Sequence, residues 1–314
     1  MVSMSANNAA AAALSGNRIH VKKGFWRANG KGYLFLLPFL LLFALFIIVP
    51  VIVAAWTSLT NNNMLQPAHF VGLNNYRQLF LNDDIFLVAL QNTFVFAFIT
   101  GPIGYFLSFV AAWVINSLKA KNAFALAFYA PSITSGVAMS VVWGVFFSPD
   151  RYGYLNNFLI NLGFISSPVL WTMDARYIMF VVMFVSIWMS MGAGFLVFLA
   201  GLQNIPRDYY EAASIDGLKS RLQELFYITL PTMKPQLLFG AVNAIVTSFG
   251  VFDIAVALVG FPSPNYAAHT IVAHLYDYAF IRFQMGYASA IAMVLFVITF
   301  FLGRIVMKVL SEKD

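Results

Sequence analysis

Six long, mostly apolar stretches limit the fold of this chain more than any other feature. They are residues 33–56, 86–117, 123–147, 177–201, 236–260 and 286–309. A bilayer core about 30 Å thick is crossed by about 20 apolar residues in a helix. Within lipid, the backbone polar groups must also be paired inside the protein, which favours helices. The sequence therefore predicts an all-α, polytopic membrane protein with six transmembrane helices.

Prolines in the second and third stretches are expected to disturb their helices. The second stretch is too long for one straight span, so we expect either a kink at Gly101-Pro102 or helix ends that project into water. Pro131 lies near the middle of the third stretch, and there we expect a bent or opened helix.

Composition excludes several classes of function. The chain is 61% hydrophobic and 10% charged, whereas soluble domains carry about 25% charged residues. The absence of Cys excludes disulfides, thiolate metal sites and Cys nucleophiles. The net charge of +6 does not indicate nucleic acid as a partner, because basic residues in membrane proteins set orientation. Residues 1–32 lack the pattern of a cleavable signal peptide.

The positions of Lys and Arg predict the orientation in the bilayer. Of the 18 basic residues, only Arg77, Arg151, Arg176 and Arg282 fall in the segments that are external if the N-terminus is cytoplasmic. This bias predicts that both termini are cytoplasmic. The predicted parts are a basic cytoplasmic tail (1–32), a six-helix transmembrane domain (33–310) and a cytoplasmic C-terminal tail (311–314).

A polar segment, residues 204–233, separates the fourth and fifth apolar stretches and is predicted to be cytoplasmic. We refer to it as the polar island. Asn204 is predicted to cap a helix with Pro206 in its first turn. Gly217 can adopt the left-handed conformation that ends a helix. This pattern predicts two short helices joined at a glycine.

The second of these helices is predicted from its caps. Ser220 and Gln223 match a capping box, and Leu230-Pro231 is predicted to close the helix because a residue before proline disfavours helical geometry. Its apolar face is predicted to consist of Leu222, Leu225 and Phe226.

Three interpretations of the polar island compete: a helix on the lipid surface, a connector without a partner, and a docking surface. Its three basic residues, together with the adjoining Lys234, are balanced by four acidic ones, whereas lipid-surface helices usually keep a basic excess. Ala212 and Ala213 would allow close approach, and Glu211 offers a charge. The residues slightly favour docking and do not identify a partner.

Several segments then resemble a known family. The run EAASIDG…ITLP resembles the EAA loop of ABC importer permeases, in particular the sugar-type family of the maltose and glycerol-phosphate permeases. The matching segments elsewhere are GLNNYRQLF (72–80), QNTFVF (91–96), the APS…W pattern (130–143), YGYLNN (152–157) and GYASAIA (286–292). The resemblance covers about residues 33–310. The interval from Gly217 to Pro231 is one residue longer than expected, and LVGFPSPN stands where relatives often carry Gly-Gly-Pro.

The resemblance implies a type I ABC importer permease fold in a bacterial cytoplasmic membrane. It implies that a cytoplasmic ATPase docks on Glu211, Ala212, Ala213, Asp216 and Gly217. The implied partners are two ATPase subunits that bind ATP and Mg, a second homologous permease that forms a heterodimer, an extracytoplasmic solute-binding protein and the lipid bilayer. The chain itself has no G-x-x-x-x-G-K-[ST] phosphate loop, so it is predicted to bind no cofactor and to be no enzyme.

The resemblance also places a solute pathway at the bilayer midplane. The implied pathway residues are Ser186, Met189, Ser190, Asn243, Val246 and Thr247. Polar residues in membrane helices also bond to neighbouring helices or to their own backbone. No Lys or Arg lies near the midplane of the predicted spans, which favours a neutral mono- or oligosaccharide. A glycerol-phosphate or polyol importer is the alternative.

Two other classes of protein are weighed against this interpretation. An ion-coupled secondary transporter would usually show more intramembrane acids and internal repeats, and a membrane enzyme would need a catalytic constellation. Asp253 is an acid inside a predicted span, and we assign it to helix packing at the outer gate. His269 and His274 lie on an external loop without an acid cluster, so no metal site is predicted.

Overall fold

The computed structural model describes residues 25–311, and regular structure in that part of the chain is helical apart from one isolated β-bridge between Thr60 and Phe70. The chain divides into two compact units at Val53 and Ala54. Most of the N-terminal tail (1–24) and the last residues (312–314) lie outside the described residues. The division into two tails and a permease domain therefore stays a prediction.

The described part of the first unit is helical from Phe25 onward. It contains α1 (Phe25–Phe43), a π-helical turn (Ala44–Ile48) and α2 (Val49–Thr57), whose last residues belong to the second unit. The stretch Leu34–Thr57 is long and apolar enough to cross a membrane, and its large apolar side chains are exposed. Such a surface is suited to contact with lipid.

The second unit contains the remaining helices. In chain order these are α3 (Asn74–Leu81), α4 (Asp84–Asn116), α5 (Lys121–Ile133), α6 (Gly136–Phe146), α7 (Tyr154–Asn161), α8 (Ala175–Gln203), α9 (Arg207–Ile215), α10 (Arg221–Glu224), α11 (Leu230–Thr232), α12 (Lys234–Phe249), α13 (Asp253–Val259), α14 (Ile271–Tyr276) and α15 (Met285–Ser311). Two π-helical turns, Leu225–Thr229 and Asp277–Ile281, and a 3₁₀ turn, Pro264–Tyr266, connect some of them.

The number of candidate membrane spans agrees with the prediction. Within residues 25–311, four single helices are long and apolar enough to cross a bilayer, and two further pairs, α5 with α6 and α12 with α13, pass the same test as bent spans. The first pair is bent by 95° and the second by 41°. With each pair counted as one span, the total is the predicted six.

Helix α4 is continuous through Pro102. Its 33 residues correspond to a length of about 50 Å at 1.5 Å per residue, well beyond a hydrocarbon core of about 30 Å. The structure therefore supports helix ends that project beyond the core. The helix is not interrupted at Gly101-Pro102, and a kink there stays a prediction.

The helix break near Pro131 confirms the expectation for the third span. Helix α5 ends at Ile133, and Thr134 has an extended backbone (φ −79°, ψ 142°). Hydroxyl groups bind carbonyls near the break: Ser132 Oγ donates to the Tyr129 oxygen at 2.8 Å, and Thr134 Oγ1 donates to the Ala130 oxygen at 2.9 Å. Such bonds are how a membrane helix tolerates a break.

The interior of the second unit is formed mainly by α4, α8 and α12. One buried cluster joins Phe109, Phe195 and Phe198 to Leu202. A second cluster contains Phe96 of α4 and Val182 of α8. Because lipid is as apolar as these side chains, their contribution comes from close packing rather than from removal of water.

The start of α15 packs tightly against the loop that follows α2. The Gly286 N–H donates to the Asn62 carbonyl at 2.9 Å, and a Cβ atom at Gly286 would overlap the backbone oxygen of Thr60. Backbone cannot move aside as a side chain can, so this position requires glycine.

Gly286→Ala is therefore expected to lower stability by roughly 1–3 kcal/mol, the usual cost of overpacking. The measurement is the thermal unfolding midpoint of the purified chain in detergent. Gly303→Ala is the matched control, because it lies on the same helix and a Cβ there meets nothing within 4 Å. Equal midpoints for the two variants would contradict the assignment.

Candidate functional site

A polar cavity of about 380 Å³ lies between helices α4, α8, α12 and α13. Its wall combines apolar surface with small polar side chains. The polar and charged residues that line it, tyrosine apart, are Thr100, Ser108, Ser132, Ser186, Ser190, Asn243, Thr247, Ser248 and Asp253. A concave, partly apolar site with a few convergent polar groups is typical of small-molecule binding.

Five of the six predicted pathway residues line this cavity: Ser186, Met189, Ser190, Asn243 and Thr247. Residues three or four apart share one face of a helix, which explains why these five converge. Val246 does not line the cavity and is 57% exposed. It precedes Thr247 by one residue and so points about 100° away around the helix.

The sequence prediction missed four polar residues of the wall, namely Thr100, Ser108, Ser132 and Ser248. Each is a small hydroxyl residue in an apolar stretch, and that signal alone does not separate a cavity wall from a helix contact.

Most of these hydroxyl groups donate to their own helix. Ser190 Oγ donates to the Ile187 oxygen at 2.9 Å, and Thr247 Oγ1 donates to the Asn243 oxygen at 2.9 Å. A hydroxyl that donates once still has lone pairs, so these groups remain available as acceptors.

Ser186 differs from the other serines of the wall. Its side chain is buried, with 8% of the residue exposed, and its Oγ has no hydrogen-bond partner among the described residues. A buried hydroxyl without a partner costs about 1–3 kcal/mol. Ser186 belongs to the lining of the cavity.

Among the described residues that line the cavity, Asp253 is the only charged one. It begins α13, after the break that follows α12, and it is exposed. Thr270 Oγ1 donates to the Val251 oxygen at 2.9 Å and so binds a carbonyl within this break. The predicted helix-packing role of Asp253 stays a prediction, since its location is on the cavity rather than inside a helix contact.

The polar island forms the predicted two short helices, but Asn204 does not cap the first. Asn204 ends α8, and its N–H bonds to the Ala200 and Gly201 oxygens. Helix α9 instead begins at Arg207, with Pro206 at the N-cap and no side-chain cap. The prediction for Asn204 was wrong because the preceding helix continues two residues beyond its apolar stretch and Asn204 is its C-cap.

The turn and the second cap of the island are confirmed. Gly217 has φ +96°, and the Leu218 N–H bonds to the Ala213 oxygen at 3.0 Å, as in a Schellman motif. The Gln223 N–H donates to Ser220 Oγ at 3.2 Å, and Gln223 Oε1 accepts from the Ser220 N–H at 3.2 Å.

Leu230-Pro231 does not close the second helix, contrary to the prediction. Leu230 is helical (φ −62°, ψ −45°), and the chain turns only at Met233 (φ −87°, ψ 7°). Pro231 lies in the first turn of α11, where its missing N–H has little cost, and the preceding π-helical turn bonds the Leu230 N–H to the Leu225 oxygen.

The predicted apolar face of this helix is only partly buried. Leu225 is buried, whereas Leu222 and Phe226 are 59% and 63% exposed. Together with Ile215 at 85% and Tyr227 at 73%, they give the island an exposed apolar surface. Such a surface on a polar segment indicates an interaction site.

The residues predicted to dock an ATPase lie next to this apolar surface. Glu211, Ala212, Asp216 and Gly217 are exposed, and Ala213 is half-buried. Tyr210 holds the first helix to the second through a 3.0 Å bond between its hydroxyl and Thr229 Oγ1. The island is thus anchored on one side and open on the other.

A buried polar network, which the sequence prediction missed, lies at the N-terminal end of α4. His274 Nε2 is 3.0 Å from Asp83 Oδ2, and His269 Nε2 is 3.2 Å from His274 Nδ1. Tyr287 Oη donates to the same carboxylate oxygen at 2.7 Å, and Tyr278 Oη at 3.4 Å. Asp83 also caps α4 by accepting from the Phe86 N–H.

The hydrogen bonds assign the protons in this network. Because the Asp83 carboxylate only accepts, His274 donates from Nε2 and accepts at Nδ1 from His269 Nε2–H. His269 Nδ1 is then an unprotonated atom without a partner among the described residues. Burial lowers the pKa of His269 to about 4 and also lowers the pKa of His274. Burial would raise the pKa of Asp83, but hydrogen bonds from Tyr287, Phe86 and His274 lower it.

Acidification is therefore expected to destabilise this region. When the pKa of a histidine is lower in the folded protein than its unfolded value of about 6.5, the folded protein loses stability as the pH falls below 6.5. For His269 the free energy of unfolding is expected to fall by about 3 kcal/mol by pH 4, at about 1.36 kcal/mol per pKa unit. Loss of the Asp83 contribution follows at still lower pH.

The measurement is the thermal midpoint of the purified chain between pH 7.5 and 4.5. In His269→Gln the thermal midpoint should fall less steeply with decreasing pH. His69→Gln changes an exposed histidine, and its midpoint should depend on pH as in the unaltered chain. An unaltered slope in His269→Gln would disprove the assignment.

The cavity, the bent spans and the polar island together define a polytopic membrane transport subunit.

No family model matches the chain. It is 33% identical over 286 residues to the probable ABC transporter permease protein YesP of Bacillus subtilis, covering 90% of this chain and 91% of the relative. It is 32% identical to the arabinooligosaccharides transport system permease protein AraP of the same organism, over 90% of both chains. The lactose transport system permease protein LacF of Rhizobium radiobacter is 30% identical over 83% of this chain and 86% of the relative. The chain belongs to the permeases of sugar ABC transporters.

Solved structures agree with the fold. A bacterial ABC transporter involved in the import of the acidic polysaccharide alginate contains a chain that matches with a TM-score of 0.76 and 22% identity, over 92% of this chain and 98% of that one. At this identity the likeness concerns the fold alone.

Proposed function

We propose that this sugar ABC importer permease forms one half of the translocation path for a neutral mono- or oligosaccharide. The observation that carries the proposal is the cavity wall, where small polar side chains converge and Ser186 has a buried hydroxyl without a protein partner. Saccharide hydroxyls both donate and accept hydrogen bonds, so they complement such a wall.

The charge of the wall supports a neutral solute. No Lys or Arg is among the described residues that line the cavity. A glycerol-phosphate solute would require compensating cations, although a relative at 29% identity is the sn-glycerol-3-phosphate transport system permease protein UgpA of Pectobacterium atrosepticum. A neutral polyol fits the same wall and is the second candidate. An ion-coupled secondary transporter does not fit the family.

The polar island is the proposed contact with the ATPase. Its exposed Glu211 and Ala212, next to the exposed side chains of Ile215 and Phe226, combine a charge, a site of close approach and an apolar contact surface. In this proposal two cytoplasmic ATPase subunits bind ATP and Mg and move the island. This chain binds no nucleotide itself.

The remaining partners follow from the same proposal. A second, homologous permease completes the path as a heterodimer, and an extracytoplasmic binding protein delivers the saccharide. One structural neighbour is an alginate ABC transporter in complex with a periplasmic protein, which supports the last partner. The chain is placed in a bacterial cytoplasmic membrane with both termini on the cytoplasmic side, as the Lys and Arg bias favours.

The mechanism is alternating access of a single cavity. Closure of the ATPases on ATP draws the islands of the two permeases together and opens the cavity outward, and release after hydrolysis opens it inward. The islands and spans move as connected rigid elements between two states. Ser186, Asn243 and Thr247 hold the saccharide in between.

Glu211→Arg is expected to reduce recovery of the ATPase with the tagged chain at least tenfold and to abolish uptake. Reversing the charge places two like charges in the contact, while Glu211 is exposed and the fold of the chain does not depend on it. The measurement is ATPase co-purification and ATP-dependent uptake in the same membranes. Arg151→Glu, a charge reversal in an external loop, is the control, and normal co-purification with Glu211→Arg would refute the docking role.

Ser186→Ala is expected to raise the KM for uptake by about two- to tenfold, since one net hydrogen bond contributes about 0.5–1.5 kcal/mol. The thermal midpoint should not fall, because the hydroxyl has no partner in the chain. Ser140→Ala is the comparison: Ser140 is buried in α6 and donates to the Gly136 oxygen, but it does not line the cavity. A lower midpoint with unchanged KM in Ser186→Ala would instead indicate a packing role.

A further inference from the structure

The break between α12 and α13 places an acid on the cavity wall. Helix α12 ends at Phe249, and Phe252 has a non-helical backbone (φ −147°, ψ −63°). Residues Gly250, Val251 and Phe252 line the cavity together with Asp253. Irregular backbone at membrane depth is tolerated where it lines a water-filled cavity. The break therefore directs the first residue of α13 to the cavity.

The Asp253 carboxylate has free hydrogen-bonding capacity. No hydrogen bond or ion pair joins its side chain to another residue of the described part of the chain, and it is exposed to the cavity. A carboxylate accepts hydrogen bonds through two oxygens and donates none. Two neighbouring hydroxyl groups of a sugar ring present two donors side by side, which match these oxygens.

The same carboxylate disfavours anionic solutes. It is the single formal charge on this wall, and the described wall has no Lys, Arg or His to offset it. A phosphate or uronate group that enters the cavity would meet a like charge at this site, and like charges a few ångströms apart repel each other. A hydroxyl group at the same place gains a charge-assisted hydrogen bond.

We propose that Asp253 determines the specificity of this permease: it binds adjacent hydroxyls of an uncharged saccharide and excludes saccharides that carry carboxylate or phosphate groups. The inference rests on the proposed function of the cavity. It goes beyond that function because it makes one side chain responsible for selection by charge. The alginate importer has a similar fold and takes an acidic polysaccharide, so the backbone alone does not set this preference.

The test uses the complete importer, with partner permease, ATPase and binding protein, reconstituted in proteoliposomes. Radiolabelled arabinotriose, lactose, raffinose and galactobiose serve as neutral probes, and digalacturonate and glycerol 3-phosphate serve as anionic ones. The unaltered importer is expected to take up at least one neutral probe and neither anionic probe.

Asp253→Asn should raise the KM for the neutral probe about tenfold and leave the maximal rate and the thermal midpoint nearly unchanged. Asp253→Glu, which keeps the charge, should recover part of the affinity. Asp84→Asn removes an exposed acid outside the cavity and should change nothing. A structural role would lower the maximal rate and the midpoint without a selective change in KM.

The results separate two failures. Uptake of an anionic probe by the unaltered importer, or an unchanged KM in Asp253→Asn, would overturn the role of Asp253 and leave the saccharide permease intact. If the unaltered importer took up no saccharide of either charge, the proposed function would fail and this inference with it.

Discussion

The need to pair every backbone polar group inside a bilayer governs this structure. Continuous helices satisfy that need within themselves. The two remaining spans are interrupted where the break lies beside the cavity or where hydroxyl groups bind carbonyls at the break. Thr134 binds the Ala130 carbonyl near one break, and Thr270 binds the Val251 carbonyl at the other. The cavity therefore exists where helices are interrupted, and the interruptions are stable because short polar side chains supply hydrogen bonds.

The sequence predicted features that depend on local chemistry. Span positions follow from hydropathy, the turn at Gly217 from a residue that tolerates positive φ, and the Ser220–Gln223 cap from two residues three apart. The errors at Asn204 and Pro231 arose because tertiary context let one helix continue and allowed a π-helical turn before a proline. The Asp83–His274 contact joins residues 191 positions apart, and no local pattern contains that information.

Cavity and polar island are parts of one unit. The island lies in sequence between α8 and α12, and both of these helices line the cavity. Leu225 and Met233 of the island belong to the same buried cluster as Phe109 of α4 and Phe198 of α8, and Tyr210 packs against it. A force on the island is thus delivered directly to the two helices that carry Ser186 and Asn243, without a flexible linker in between.

The excess length of α4 has a mechanical consequence. Near its N-terminal end, Phe86 shares a buried cluster with Ile271 and Tyr287, and near its C-terminal end Ile115 shares one with Leu225 of the island. These two clusters are separated by about 45 Å of continuous helix at 1.5 Å per residue. A helix of this length acts as a lever arm, so a small tilt imposed at the end beside the island becomes a displacement of several ångströms at the other end.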